Sequence, residues 1–157
     1  MTLTIRPITA ADDFPALLDL IRRAFAYMDG VIDPPSSAHR LTVDSLRQKA
    51  AEETGLVAFD GDRLVGCAFL RPEPGGMYLG KVAVDPQVQT RGIGGALLAA
   101  AEGVARAQGA PRLRLETRVE LVRNHATFAA WGFRKSGESR HPGFDRTTTI
   151  EMTKPLM

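Results

Sequence analysis

Val82-Ala83-Val84-Asp85-Pro86-Gln87-Val88-Gln89-Thr90-Arg91-Gly92-Ile93-Gly94-Gly95-Ala96-Leu97-Leu98-Ala99 is the stretch on which the reading of this sequence turns. A strand ends at Asp85-Pro86, a short polar loop follows, and glycines open an Ala/Leu-rich helix running to Gln108, with Gly109 as its stop. The first N–H groups of a helix have no partner four residues back and face outward at the positive end of the helix dipole. An anion, above all a pyrophosphate, satisfies several of them together. Gly92, Gly94 and Gly95 carry no Cβ, so phosphate oxygens can approach the backbone. Gln89 and Arg91 add an amide and a charge at the rim. Glycine costs up to about 1 kcal/mol in a helix interior relative to alanine, so Gly94 and Gly95 call for a packing or ligand reason. Neither common nucleotide loop fits. No Gly-Lys-Ser/Thr is present, and Leu97 stands where a dinucleotide fingerprint carries its third glycine.

Upstream, Thr2–Arg6 alternates as a first strand. Thr9 or Asp12 is the expected cap of a helix whose apolar positions Phe14, Leu17, Leu18, Ile21, Ala24, Phe25 and Met28 recur at three and four, with Gly30 as its end. Asp29–His39, with Pro34, Pro35, Ser36 and Ser37, reads as a loop. A second helix starts at Thr42 or Asp44 and runs to about Glu53. Leu56–Phe59 and Arg63–Arg71 form a hairpin around Asp60-Gly61-Asp62, and Met77–Val84 is the next strand. Downstream, Arg112–Thr117 is a strand, Arg123–Trp131 a short helix, and Phe133–Ser139 and Thr147–Thr153 two further strands. The order is not a repeating βαβ. It predicts an α+β fold, a mostly antiparallel central sheet with helices on both faces, in one domain over residues 1–157.

Composition sets the outer bounds. A chain of 157 residues with 44% hydrophobic and 24% charged residues is globular in character. At that length roughly 70% of the unfolded surface is buried, so no disulfide or metal is needed as a staple. Twenty basic against 18 acidic residues, a net charge of +2, is too balanced for a nucleic-acid partner. One cysteine, Cys67, in the apolar run Leu64–Leu70, permits no intramolecular disulfide and reads as a buried thiol in a cytoplasmic protein. The N-terminus lacks a basic region followed by an apolar core, and no apolar run reaches membrane-spanning length, so no membrane partner is expected.

Gln89-Thr90-Arg91-Gly92-Ile93-Gly94 resembles the coenzyme A loop of the GNAT N-acetyltransferase family, whose pattern is Gln/Arg-x-x-Gly-x-Gly/Ala. The preceding Val-Ala-Val, the following Ala/Leu helix, the element order, and Trp131-Gly132-Phe133 in place of the family's Leu-Gly-Phe extend the resemblance across the chain. It implies an acetyl-CoA-dependent transfer of acetyl to a primary amine, on a small molecule or a protein N-terminus. It implies cofactor contacts from Val82, Ala83, Val84, Gln89, Thr90, Arg91, Gly92, Ile93, Gly94, Gly95 and Ala96, and from Asn124 and Phe128. The Val82 N–H is the implied donor to the thioester carbonyl.

An amine acceptor is mostly protonated at neutral pH and must lose a proton. Glu116 is the first candidate base and His39 the second, while His141 and Asp145 belong to a loop able to overhang the acceptor. Many family members place a tyrosine, acid for the leaving thiolate, where this chain has Phe128, which has no proton to give. Tyr27 and Tyr78 are the only tyrosines, and either could supply that acid or be a core or rim residue; strand alternation predicts Tyr78, the catalytic candidate, on the face of Val82 and Val84. Asn124 is either the family's helix asparagine in another register or a helix cap. The family binds acceptors around the first two helices, here Phe25, Tyr27, Met28, Asp33 and His39. Aromatic rings with Asp29 and Asp33 suit a cationic amine, while Arg40 suits an anionic acceptor. A coenzyme A-binding sensor without chemistry is the alternative reading, and a homodimer is a reasonable assembly.

Overall fold

The computed structural model describes residues 2–156. Strand β1 (Leu3–Pro7) leads into helix α1 (Phe14–Phe25), and helix α2 (Val43–Glu52) into strands β2 (Thr54–Asp60), β3 (Arg63–Glu73) and β4 (Gly76–Val84). Helix α3 (Ile93–Ala107), strand β5 (Arg112–Arg118), helix α4 (Val122–Ala130) and strands β6 (Arg134–Ser139) and β7 (Thr149–Pro155) complete the order. One sheet runs β1-β2-β3-β4-β5-β7-β6. Every neighbouring pair is antiparallel except β4–β5. That parallel pair, joined by the α3 crossover, meets only at Met77↔Leu113 and Tyr78↔Arg114. Beyond it the two strands part, leaving the C-terminal half of β4 without a partner on one side.

Two apolar layers cover the sheet. On one face, Ile93, Leu97, Leu98, Ala101 and Ala105 of α3 pack on Leu56, Leu70, Leu79, Leu113 and Leu115, with Phe128 and Trp131 at the margin. On the other, Leu17, Leu20, Ile21 and Leu46 of α1 and α2 pack on Val57, Cys67, Phe69 and Ala83. Cys67 is fully buried, and burial pushes its thiol up to about 12, so it is a core residue as its apolar setting predicts.

The helix starts refine the sequence reading. Asp13, not Thr9 or Asp12, caps α1, accepting from the Ala16 N–H at 3.0 Å. Asp12 instead takes the Arg6 guanidinium and the Thr9 N–H, the latter at 2.7 Å. The α1 periodicity runs out at Phe25, and Ala26–Met28 tightens into a 3₁₀ turn before Gly30. Thr42 caps α2 in a reciprocal box with Ser45. β7 extends two residues past the predicted Thr153, because Pro155 still pairs with Arg112.

The most consequential departure is in β4. Lys81 adopts φ +50, and Lys81 and Val82 together stand opposite the single residue Ala68 between the pairs Phe69↔Gly80 and Cys67↔Ala83. This bulge breaks the alternation. Met77 and Leu79 therefore share the α3 face with Val82 and Val84, and Tyr78 lies on the opposite face. The expectation that Tyr78 sits on the face of Val82 fails because strict alternation does not survive the inserted residue.

Candidate active site

The glycine loop is held from below. Asp85 is 2% exposed. Its carboxylate accepts from the Gln87 N–H at 2.9 Å, from Arg63 at 3.0 Å and from Arg23 at 3.2 Å. Burial pushes the Asp85 carboxyl up, but these three donors outweigh it and hold it below the usual carboxylate range. The loop itself, Pro86–Arg91, is two 3₁₀ turns that meet at a kink at Val88, whose side chain is buried. Gln89, Thr90 and Arg91 are exposed at the rim, and the Gln89 amide donates to the Val84 carbonyl at 3.4 Å.

Gly92 caps α3 at φ +79, a left-handed conformation natural to glycine, and no atom lies within 4 Å of the place its Cβ would take. The first helical hydrogen bond runs from the Ala96 N–H to the Gly92 carbonyl at 3.1 Å. The N–H groups of Ile93, Gly94 and Gly95 therefore stand ahead of it, at the positive end of a 15-residue helix. The Ile93 side chain is fully buried, so that residue offers its backbone alone. Gly94 has a packing reason the sequence did not disclose: its Cβ would lie 3.0 Å from the ring of Trp131, the C-terminal cap of α4. Space beside Gly95 is open.

Next to this cradle, the edge of β4 from Leu79 to Val84 faces the gap left by β5. Ala83 turns into the α1/α2 layer, while Val82 and Val84 turn toward α3. The α4 side of the gap is apolar: Phe128 packs edge-on to Trp131 at 5.8 Å and to Phe133 at 6.2 Å between ring centres. Asn124 lies inside α4 rather than at its cap, Leu121, and its amide donates to the Tyr27 hydroxyl at 2.9 Å. The structure thus ties a predicted cofactor residue to a predicted acceptor residue.

On the α1/α2 face, Met28, Asp29, Gly30, Ile32, Pro35, Ser36 and His39 enclose a cavity of about 260 Å³. Of the predicted acceptor residues, Met28 and His39 line it, Tyr27 stands beside it 52% exposed, and Phe25 packs into the α1/α2 layer. His39 Nε2 meets Asp29 Oδ1 at 2.6 Å. Asp33 is turned outward, its N–H on Glu120 at 3.3 Å and its carbonyl on Arg146 at 3.2 Å. Glu116 shares the face of Arg114 and Arg118, and Arg114 donates to it at 2.8 Å while also forking onto Glu73 at 2.8 Å through two nitrogens. Tyr78 lies between the guanidiniums of Arg71 and Arg114, at 4.2 and 4.8 Å. Burial, reinforced by Glu116, pushes its phenol up to about 12. His141 is pinned to the Thr148 hydroxyl at 2.5 Å, and burial and Arg118 pull its imidazolium down. Asp145 is exposed in the same loop. Among the described residues no group of three or more His, Cys, Asp or Glu is placed to hold a metal ion, and no helix is long and apolar enough to cross a membrane.

Three contributors escaped the sequence reading. Asp85 reads there only as a strand end, and its partners Arg23 and Arg63 are remote in sequence. Lys81 and Arg118 acquire their places from the bulge and from the parting of β4 and β5. The Asp-Pro step after a strand was the one local signal available for any of the three.

A split between parallel strands with a glycine-opened helix N-terminus at its mouth suits the class of proteins that bind a diphosphate with an extended arm attached. The profile of the acetyltransferase (GNAT) family matches residues 14–133, and the chain belongs to that family of acetyl-CoA-using enzymes. β6 and β7 lie beyond the matched span. Solved structures agree over the whole chain. The PaiA N-acetyltransferase of Thermoplasma acidophilum, in complex with coenzyme A, superimposes with a TM-score of 0.83 at 19% identity, covering 99% of both chains. The ribosomal-protein-S18-alanine N-acetyltransferase of Escherichia coli gives 0.77 at 21%, covering 99% of this chain and 94% of that one. A GNAT acetyltransferase of Elizabethkingia anophelis, with acetyl-CoA bound, gives 0.71 at 21%, covering 98% and 97%. No curated protein matches the chain in sequence.

Proposed function

We propose that the chain transfers acetyl from acetyl-CoA to a primary amine by direct attack on the thioester. The observation that carries this reading is the alignment of the Ile93–Gly95 N–H groups with the unpaired edge of β4. The first receives a diphosphate, and the second offers main-chain hydrogen bonds to an extended arm, as an added strand does. The bulge at Lys81 releases the Val82 backbone from the β3 ladder, and the Val82 N–H polarises the carbonyl and supports the oxyanion.

Of the two candidate bases, His39 is the better placed. It lines the cavity and Asp29 orients its ring, whereas a Glu116 oxygen is taken by Arg114. His39 receives the amine proton, through water where the two are not in contact. Phe128 supplies no acid, so the thiolate departs unprotonated, which a thiol with an ordinary pKa near 8.5 tolerates.

The test is a titration with acetyl-CoA followed by release of free thiol in the presence of varied amines. Turnover that falls about a hundredfold in His39→Gln, with acetyl-CoA affinity unchanged, supports the assignment. Tight acetyl-CoA binding with no thiol release from any amine favours a sensor instead.

A further inference from the structure

The sheet face beneath the cavity carries positive charge that the acetyl-transfer steps do not use. Lys81 Nζ donates to the Ser37 hydroxyl at 2.5 Å. Across the gap Arg118, the last residue of β5, sends its two terminal nitrogens to the carbonyls of Pro34 and Pro35 at 2.6 and 3.1 Å. Arg40 closes the Ser37–Arg40 turn and is exposed. Three elements thus bring three cations to the loop that walls the cavity at Pro35 and Ser36.

Their surroundings do not neutralise them. Lys81 feels Lys49, Arg40 and Arg118, with Glu53 as the one opposing charge, and Glu53 is already paired to Lys49 at 2.8 Å. Burial first, then those three like charges, pulls the Lys81 ammonium down to about 8. The acids nearest Arg118, namely Glu120 and Asp33, reach Arg146 at 3.8 Å, and Glu116 is held by Arg114. Among the described residues no carboxylate forms an ion pair with Lys81, Arg40 or Arg118. Asp29, which could have held a cationic acceptor, is bonded to His39.

We propose that Lys81, Arg118 and Arg40, with the Ser37 hydroxyl, form a carboxylate subsite, and that the acceptor is a small amine which also bears a carboxylate. A carboxylate takes the unengaged fork of Arg40 and the point charge of Lys81 together, Arg118 adds its charge while its own fork stays on the Pro34 and Pro35 carbonyls, and the repulsion among the three is relieved. The same cations lower the pKa of an amine held beside them and so favour its neutral, nucleophilic form. This inference rests on the acetyl-transfer reading and names its substrate class.

The test uses matched pairs of N-acetylated amino acids and their C-terminal amides, titrated calorimetrically at pH 8 into the free protein and into its coenzyme A complex. Two buffers of different ionisation enthalpy report proton exchange. The acids are expected to bind at least about tenfold tighter than the amides and to draw protons from the buffer as Lys81 recharges. Lys81→Met and Arg118→Met each reduce the preference below about threefold. Arg40→Ala, an exposed and unbonded side chain, carries the same comparison where a deeper substitution unfolds the chain. Equal affinity for acids and amides, failure of every acid to bind, or a preference that survives all three substitutions overturns the subsite. Failure of the acetyl-transfer reading looks different: no amine releases thiol, yet the acids still bind.

Discussion

The two ends of the β4–β5 gap are built on opposite plans. At the proposed cofactor end, one contiguous stretch from Val84 to Ala96 supplies strand, turn, cap and helix start, and the atoms it offers are backbone N–H groups. At the proposed acceptor end, Tyr27, Ser37, Lys81 and Arg118 come from four separate segments, and the atoms they offer are side-chain heads. A backbone cradle needs a particular local geometry and tolerates many side chains. A side-chain constellation needs a fold to assemble it. Substitutions in the two regions therefore fail in different ways.

Asp85→Ala should give the largest effect, and it probes how local the cofactor end is. The Gln87 N–H loses its acceptor and two guanidiniums lose a shared partner. Arg23 and Arg63 are half-exposed and return to water, so the expected loss is about 2 kcal/mol of unfolding free energy rather than the full penalty of a broken buried pair. Coenzyme A affinity should fall about tenfold as the 3₁₀ turn loosens, while Asp85→Asn, which keeps an acceptor for Gln87, loses less. Calorimetry and urea unfolding measure both. Undiminished affinity in Asp85→Ala would show that the cradle stands without its tertiary anchor.

Gly92→Val separates conformation from space. The built Cβ meets nothing, so the whole effect comes from φ +79, which costs a branched residue about 1–2 kcal/mol. Gly92→Asn, a residue that visits the left-handed region, should keep coenzyme A affinity within about threefold of the parent. Equal losses for Val and Asn would point to steric contact with the ligand instead. At Gly94 the expectation reverses. Alanine there meets the Trp131 ring at 3.0 Å, and a destabilisation of about 1 kcal/mol should be relieved in part by Trp131→Phe. A double-mutant cycle read by thermal unfolding gives the coupling.

The same division explains what could be read from the chain alone. The backbone geometry of the cradle was legible because its determinants lie within a dozen residues, a strand stop, glycines opening a helix and orphaned N–H groups, whereas the left-handed turn at Gly92 was not. The layers of the sheet were legible from apolar periodicity, and the buried setting of Cys67 from its neighbours. Gly94 was legible as costly but not as the partner of Trp131, since the two positions lie on different helices. The face of Tyr78 was not legible because the bulge at Lys81 has no local signature: a lysine with positive φ looks like any other strand lysine. Asp13 replaced Asp12 as the cap because Arg6 from β1 had claimed Asp12. Each miss traces to a tertiary contact or a backbone irregularity that the local pattern does not encode.

The smallest expected effect is the sharpest test of the contrast. In the folded chain the Lys81 amine titrates at about 8, against an ordinary value of 10.5. Between those values the unfolded chain binds more protons than the folded one, so this residue's contribution to stability rises with pH across that window. Below pH 8 the charged ammonium is fully disfavoured by the fold, and above 10.5 the amine is neutral in both states. Lys81→Met should therefore melt higher than the parent at pH 7, with the advantage shrinking as pH rises from 8 toward 10.5. Lys81 is only half-buried, so solvent screening keeps the gain under about 1 kcal/mol. Substitutions at Asp85 or Gly92 lose stability and ligand together. At Lys81 stability rises while carboxylate binding falls, as expected of a charge retained for binding. A lower melting temperature for Lys81→Met at pH 7 would mean that Lys81 supports the fold, and the contrast between the two ends of the gap would dissolve.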